Sequence, residues 1–379
     1  MRKEELIDGK FKFIEKKDKK KLINSLDPLV KEWFFSKFRD FSETQLYGVM
    51  PIYERRNILI SAPTGGTKTL TAFLSILNYL VTLARKQELE DRVYCVYTSP
   101  LKALSNDIHV NLIQPLKEIE EIANKNKNKY KGMQKIRVGL RTGDTSQKDR
   151  AKMLKNPPHI LVTTPESLAI VLNSPKFSER FQMIEWVVVD EIHSLASNKR
   201  GTHLILTLER LQEMSSIEIT RIGLSATVAP LEKVAHFLIG EGRKCEIADV
   251  ELQKKMDLKI LSPVEDFLET NSSELQDNLY DLIDEMVHKH KTTLIFTNTR
   301  SATERVVNNL IDKFPKKYIE TIDNEMQHRI GAHHSSLSKK HRYEIEQGLR
   351  DGKLKVVVCS TSLELGIDIG YIDLVLLLG

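Results

Sequence analysis

Cysteine, proline and tryptophan are all scarce in this 379-residue chain, which has three Cys, 12 Pro and two Trp. Cys95, Cys245 and Cys359 are an odd number at wide separations. They argue against a disulfide framework or a structural zinc site and read as buried thiols of a reducing compartment. So few prolines, beside 29% charged and 41% hydrophobic residues, leave little room for long disordered tracts. No apolar run reaches the roughly 18 residues that a membrane span requires. Met1–Phe13 carries charges throughout and offers no apolar stretch for a signal peptide. The expectation is a cytoplasmic protein with no membrane partner. Neither sign of charge dominates: 57 Lys+Arg against 52 Asp+Glu leaves +5, which permits a nucleic-acid partner without establishing one.

What is present is a repeated alternation of short apolar runs with helical stretches, the pattern of βα units around a parallel sheet. The runs are Asn57–Ile60, Val93–Tyr97, Ile136–Leu140, His159–Val162, Trp186–Val189 and Arg221–Leu224. A second series follows at Thr292–Phe296, Arg329–His333, Lys355–Val358 and Ile372–Leu378. Most are rich in Val, Ile and Leu with little alternation, as strands buried on both faces should be. Length alone favours two domains. The polar segment Glu246–Lys259 places their boundary near residue 250. The expected organisation is a basic extension over 1–24, one α/β domain over 25–250 and another over 251–379. Two basic runs, Glu15–Lys21 and Asn124–Lys135, read as solvated surface loops. Most strand-like runs end in Gly, Ser, Thr, Pro or Asp, and ligands of open parallel sheets bind beyond those ends.

Asn57–Ile60 leads into Ser61-Ala-Pro-Thr-Gly-Gly-Thr-Lys-Thr69, and Leu70–Leu80 reads as an amphipathic helix. Strand, glycine-bearing loop with Lys-Thr, and helix together form a phosphate-loop arrangement. Thr64, Gly65, Gly66 and Thr67 would surround a polyphosphate, Lys68 would reach its β/γ oxygens, and the Thr69 hydroxyl would ligate Mg²⁺. Thr67 is a departure, because the usual motif has glycine before the lysine, and a Cβ there penalises a positive φ. Alone, the segment could be an ordinary βα turn. It is joined by Trp186-Val-Val-Val-Asp-Glu-Ile-His193, a buried strand ending in adjacent carboxylates. Asp190 can hold Mg²⁺ through water, and Glu191 can orient or deprotonate the attacking water; cleavage of a phosphoanhydride needs both.

These residues resemble the superfamily 2 helicases over nearly the whole chain from about Leu26. Ser99-Pro-Leu-Lys-Ala-Leu104 resembles motif Ia, and Arg141-Thr-Gly-Asp-Thr145 the loop that follows it. Thr163-Thr-Pro-Glu-Ser-Leu168 resembles motif Ib, Asp190-Glu-Ile-His193 motif II and Ser225-Ala-Thr227 motif III. Ile295-Phe-Thr-Asn-Thr-Arg300 resembles motif IV, and Ser360-Thr-Ser-Leu-Glu-Leu-Gly-Ile-Asp-Ile-Gly370 motif V. The last of these, with Arg200-Gly-Thr-His203 and Leu208-Glu-Arg-Leu211, is similar to the large helicase-related (Lhr) proteins.

The resemblance implies a P-loop NTPase fold of two RecA-like parallel-sheet domains, the second incomplete. It implies ATP and Mg²⁺ as cofactors, with Lys68, Asp190, Glu191 and His193 as the catalytic group. Gln45, in Glu43-Thr-Gln45, looks like the Q-motif glutamine, whose amide suits an adenine edge, although a polar residue at a helix start would look the same. His193 with Ser225 and Thr227 would couple the nucleotide site to the nucleic-acid groove. Gly366 and Asp368 would approach the nucleotide from the second domain. Pro100, Lys102, Arg141, Thr164, Thr297, Thr299 and Thr361 would present N–H, O–H and cationic groups to backbone phosphates, giving sequence-tolerant, salt-dependent binding. Each Ser/Thr alone would be an ordinary helix cap. His333-His334, with no Cys or carboxylate at ligand spacing, reads as a loop after a strand.

The implied activity is a 3′–5′ helicase that moves on single-stranded or forked DNA, or on RNA, by ATP-driven cleft closure, with DNA repair as its setting. Motif VI, with its arginine, is expected just after the Leu374–Leu378 run. An arginine finger contributes roughly 10³–10⁵ in rate, or about 4–7 kcal/mol. The chain is therefore expected to bind nucleotide and nucleic acid but to turn over ATP weakly. A non-catalytic nucleic-acid-binding module with a phosphate loop disabled by Thr67, and an RNA-directed ATPase, remain open alternatives.

Overall fold

The computed structural model describes residues 6–7, 10–63, 67–100, 107–126, 130, 132–250, 257–266, 268–322, 325–334, 336–360 and 372–378. Its contacts divide the chain into two compact units, Met1–Gln253 and Lys254–Gly379. In the first unit nine strands form one sheet: β1 (Leu6–Ile7), β2 (Phe11–Phe13), β3 (Ile58–Ser61), β4 (Cys95–Thr98), β5 (Val138–Arg141), β6 (Ile160–Thr163), β7 (Trp186–Val189), β8 (Thr220–Ser225) and β9 (Cys245–Asp249). Their spatial order is β1-β2-β9-β3-β8-β7-β4-β6-β5, with only β1–β2 antiparallel.

The continuous apolar runs have the expected cause. Every residue of β3, β4, β6, β7 and β8 is buried, because helices cover both faces. Period-2 alternation sends Ile60, Tyr97 and Trp186 into one core cluster and Leu59, Val96 and Val187 into the other. The helix Lys68–Lys86 fills the first cluster with Phe73, Leu74, Leu77, Leu80 and Val81. The helix Lys199–Met214 fills the second with Leu204, Leu208 and Leu211.

All ten runs read from the sequence are strands, each within two residues at either end. Three strands of the first sheet lie outside that reading. Cys245–Asp249 falls partly in the segment taken as a linker, since Glu246 and Asp249 break its apolar pattern. Glu246 is nonetheless buried, and Arg56 donates to it. Phe11–Phe13 pairs with that strand, Leu6–Ile7 lies antiparallel beside it, and Ile14 and Leu22 enter the core. Residues 11–25 are thus built into the first unit, where a basic extension was expected.

The second unit carries a four-stranded parallel sheet, order β13-β14-β10-β15, from β10 (Thr293–Thr297), β13 (Ile330–His333), β14 (Val356–Cys359) and β15 (Leu374–Leu378). A separate antiparallel hairpin, β11 (Ile319–Ile322) and β12 (Glu325–His328), was not read from the sequence. Helices Ser272–His288 and Arg300–Lys313 supply Tyr280, Ile283, Val306, Val307 and Leu310 to its core.

One glycine is fixed by close approach. A Cβ on Gly201 would lie 1.9 Å from the Leu195 carbonyl oxygen, and a backbone oxygen has little room to yield. Gly201→Ala is expected to cost about 2–3 kcal/mol, at the upper end of overpacking changes, and to lower the thermal unfolding midpoint by several degrees in circular dichroism.

Candidate nucleotide and nucleic-acid site

Parallel register aligns the carboxyl ends of six strands on one edge. Ser61 pairs with Ser225, Thr98 with Val189 and Thr163, and Arg141 with Thr163. The segments that leave this edge are the phosphate loop, Ser225-Ala226-Thr227, Asp190-Glu191, Ser99-Pro100, Thr164-Pro165 and the loop after Arg141. Among the residues singled out above, Thr64, Gly65, Gly66, Lys102, Thr361, Gly366 and Asp368 lie outside the described residues.

Lys68 opens the helix that follows the phosphate loop and is only 7% exposed. Its Nζ donates to the carbonyls of Ala62 (2.8 Å) and Pro63 (3.0 Å). Burial lowers its pKa, and the fields of Glu191, Asp190 and Asp107 oppose that shift. Thr69, one residue further on, is half-buried. Thr67 sits at φ +55°, in the left-handed region, so the penalty expected of a side chain at this position is present.

Asp190 directly continues β7, and its N–H donates to the Thr98 carbonyl (2.8 Å). One carboxylate oxygen accepts the Glu191 N–H (2.8 Å), and the other accepts the Tyr97 hydroxyl. Burial pushes the Asp190 pKa up to about 6; the Tyr97 hydrogen bond opposes this and the Glu191 charge adds to it. Glu191 occupies φ +49° and is likewise raised, chiefly by burial. His193 Nδ1 accepts the Ala226 N–H (3.2 Å), which fixes the neutral tautomer with its proton on Nε2, 3.2 Å from Glu191 Oε2. Burial, then the Lys68 charge, keep its pKa below the usual imidazole value.

The link from the acid pair to the Ser225–Thr227 segment therefore runs through a backbone amide. The Ser225 hydroxyl is buried and donates to the Ala226 carbonyl (2.8 Å), while Thr227 is exposed. Gln45 is the third residue of the helix Glu43–Tyr53 and part of a capping box. Its amide oxygen accepts the Ser42 N–H (2.9 Å), and Ser42 Oγ accepts the Gln45 N–H.

On the neighbouring strand ends, Thr164 caps the helix Pro165–Leu172 through Ser167. Arg141 places its guanidinium 5.4 Å from the Phe177 ring centre. Pro100 offers its carbonyl to Arg200 Nη2 (3.0 Å), and Arg200 Nε binds Glu166 (2.7 Å). In the second unit, Thr299 caps the helix Arg300–Lys313, and the Thr297 hydroxyl shares a hydrogen bond with Thr303 (2.8 Å). His333 and His334 each have a carboxylate partner, Glu346 and Glu304.

Three contributors were missed in the sequence. Arg200 was noted only as part of a motif. Tyr97 is a phenol inside an apolar run, which signals a buried hydroxyl seeking a partner. Asp107 carries no local signal. Among the described residues no group of three or more His, Cys, Asp or Glu could hold a metal. A site for Mg²⁺ built from one carboxylate, one hydroxyl, waters and phosphate oxygens does not need one.

The raised Asp190 pKa has a sign. The folded chain binds more protons than the unfolded one between roughly pH 4 and 6, so this group's contribution falls as pH rises through that window and is fully unfavourable above it. Without nucleotide or metal, Asp190→Asn should be more stable than wild type at pH 8 by on the order of 2–3 kcal/mol. The advantage should vanish near pH 4, as read by denaturant unfolding.

Comparison with known proteins follows the same lines. The DEAD/DEAH box helicase family model matches residues 42–234, and the helicase conserved C-terminal domain matches 274–379. The chain is 54% identical over 357 residues to the ATP-dependent helicase Lhr-Core of Methanothermobacter thermautotrophicus, covering 93% of this chain and 40% of that one. It is 33% identical over 387 residues to the Lhr helicase/uracil glycosylase of Escherichia coli, covering 92% and 25%. The solved structure of Mycobacterium smegmatis helicase Lhr bound to ssDNA and AMP-PNP superposes with a TM-score of 0.76 at 36% identity, over 94% of this chain and 44% of that one. The chain thus spans about two-fifths of the length of the Lhr-Core relatives it matches. With two parallel-sheet units, a Lys-Thr phosphate loop and an Asp-Glu-Ile-His strand end, it belongs to the DEAD/DEAH box helicases of superfamily 2 and is similar to their Lhr-type members.

Proposed function

We propose that this chain carries the ATP-hydrolysing, strand-gripping core of a 3′–5′ DNA translocase of Lhr type. The observation that carries the reading is the buried Lys68 ammonium, lying in the fields of Asp190 and Glu191 on one edge of the parallel sheet. Lys68 would exchange its two carbonyl partners for the β/γ oxygens of the triphosphate. Thr69 and Asp190 would hold Mg²⁺, which when bound would supply charge neutralisation for the triphosphate. Asp190 suits this role because each oxygen commits one lone pair to a fixed donor, leaving the others directed by that pair of bonds.

Glu191 would orient and deprotonate the attacking water, and its raised pKa makes it a stronger base than an exposed glutamate. Neutral His193, held by the Ala226 amide, would keep Glu191 in place and report its state to the Ser225–Thr227 segment. Gln45 would face the adenine. Gly366 and Asp368 would act from the second unit, and alternating grip of the two units would move the strand.

The track is assigned as DNA because the 36%-identical M. smegmatis Lhr is bound to ssDNA with AMP-PNP. Its 3′–5′ direction rests on the resemblance to Lhr-type enzymes. Phosphate contacts through Pro100, Lys102, Arg141, Thr164, Thr297, Thr299 and Thr361 would make binding tolerant of sequence and steeply salt-dependent. A role in DNA repair fits a motor of this kind.

The test is ATP turnover with and without single-stranded DNA or RNA, beside strand displacement from duplexes with either overhang. Lys68→Ala is expected to abolish nucleotide binding. Glu191→Gln should retain binding and lose roughly 10²–10⁴-fold in turnover. Stimulation by RNA alone, or displacement only from 5′ overhangs, would overturn the assignment of track or direction.

A further inference from the structure

Thr67 stands where the phosphate-loop motif has glycine, and its backbone is left-handed at φ +55°. Such a conformation is strained for a β-branched residue and persists only where the surroundings over-determine it. The surroundings are visible here. The Thr67 carbonyl accepts both the Thr71 N–H (2.9 Å) and the Thr71 hydroxyl (2.8 Å), anchoring it in the first turn of the helix Lys68–Lys86. Its own hydroxyl lies 2.6 Å from Ser42 Oγ, across 25 residues of sequence.

Ser42 is the N-cap of the helix Glu43–Tyr53, and its hydroxyl already accepts the Gln45 N–H at 3.3 Å. The proton of Ser42 Oγ is then available to Thr67, or Thr67 donates to the second lone pair. Either way one hydroxyl closes both the cap that orients Gln45 and the start of the phosphate-loop helix. A glycine at 67 would relieve the strain and remove the bond.

We propose that Thr67 is a positioning residue whose hydroxyl, bound to Ser42, ties the phosphate loop to the helix carrying Gln45, so that base and phosphates of a bound nucleotide are read as one unit. The inference rests on the ATP reading above. It adds a coupling that exists only because this chain departs from glycine.

The experiment uses fluorescent MANT-ATP and MANT-GTP with Mg²⁺, and tripolyphosphate as a displacing ligand without a base. Thr67→Ser and Thr67→Ala share the Cβ and the strain and differ in the hydroxyl. Thr67→Ser is expected to bind MANT-ATP as wild type does. Thr67→Ala should bind it about three- to tenfold more weakly, the range of one lost hydrogen bond, with the ATP-to-GTP preference reduced and a smaller loss of tripolyphosphate affinity. In a Ser42→Ala background, exchanging Ser for Ala at 67 should have no further effect. Equal affinities for Thr67→Ser and Thr67→Ala, an undiminished difference in the Ser42→Ala background, or equal loss of tripolyphosphate binding would overturn it. Lys68→Ala separates the two levels: if wild type shows no binding that Lys68→Ala removes, the nucleotide reading itself fails.

Discussion

A buried ammonium held within the field of two carboxylates, and bonded to neutral carbonyls, is the arrangement on which the chemistry proposed for the first unit depends. Lys68 leaves water to sit against the Ala62 and Pro63 carbonyls, and desolvation disfavours its charge. Desolvation equally disfavours the charges on Asp190 and Glu191. Each group is thus less comfortable than it would be in solvent, and the discomfort is of a kind that a magnesium-bound polyphosphate relieves, since it brings both signs at once. The parallel sheet makes this tolerable. Its strands are buried on both faces, so the core offsets the desolvation while the carboxyl ends remain free for polar groups.

The backbone is strained at the same place. Of the non-glycine residues with positive φ among those described, Thr67 and Glu191 belong to the candidate site. Both touch groups that reach other elements: the Thr67 hydroxyl shares a hydrogen bond with Ser42, and the Glu191 carboxylate lies 3.2 Å from His193, whose other ring nitrogen accepts the Ala226 N–H. Strain fixed at both ends preorganises a site, because the loops need not search for their conformation when a ligand arrives.

The legible parts of the fold were those where local pattern and burial coincide. Ile58–Ser61 and Trp186–Val189 read as strands because both their faces are apolar. Cys245–Asp249 did not, because its Glu246 is neutralised by Arg56, a residue 190 positions away. The acid pair and Lys68 were legible because phosphoryl chemistry demands those residue types at strand ends. Tyr97 and Asp107 reach the same pocket of charge from another strand and from the helix after it, and such convergence has no trace in spacing. Coupling through the Ala226 amide was equally hidden, since every residue here but proline has an N–H and only geometry says which one is used.

In each unit, the hydroxyls proposed to lie near nucleic acid point to a division of labour. Those of Thr164 and Thr299 are occupied as helix caps, and that of Thr297 is shared with Thr303. A cap satisfies one orphan N–H of a helix start and leaves the others directed outward. In the proposed reading, the strand's phosphates would meet these backbone N–H groups more than the side-chain oxygens that first mark the motifs. Arg200 then acts as a spacer, since by holding the Pro100 carbonyl and Glu166 together it fixes the separation of two strand-end segments. Recognition built from amides at a fixed spacing depends on the repeat of the backbone and is indifferent to the bases, which is the property a motor needs if it is to advance along any sequence.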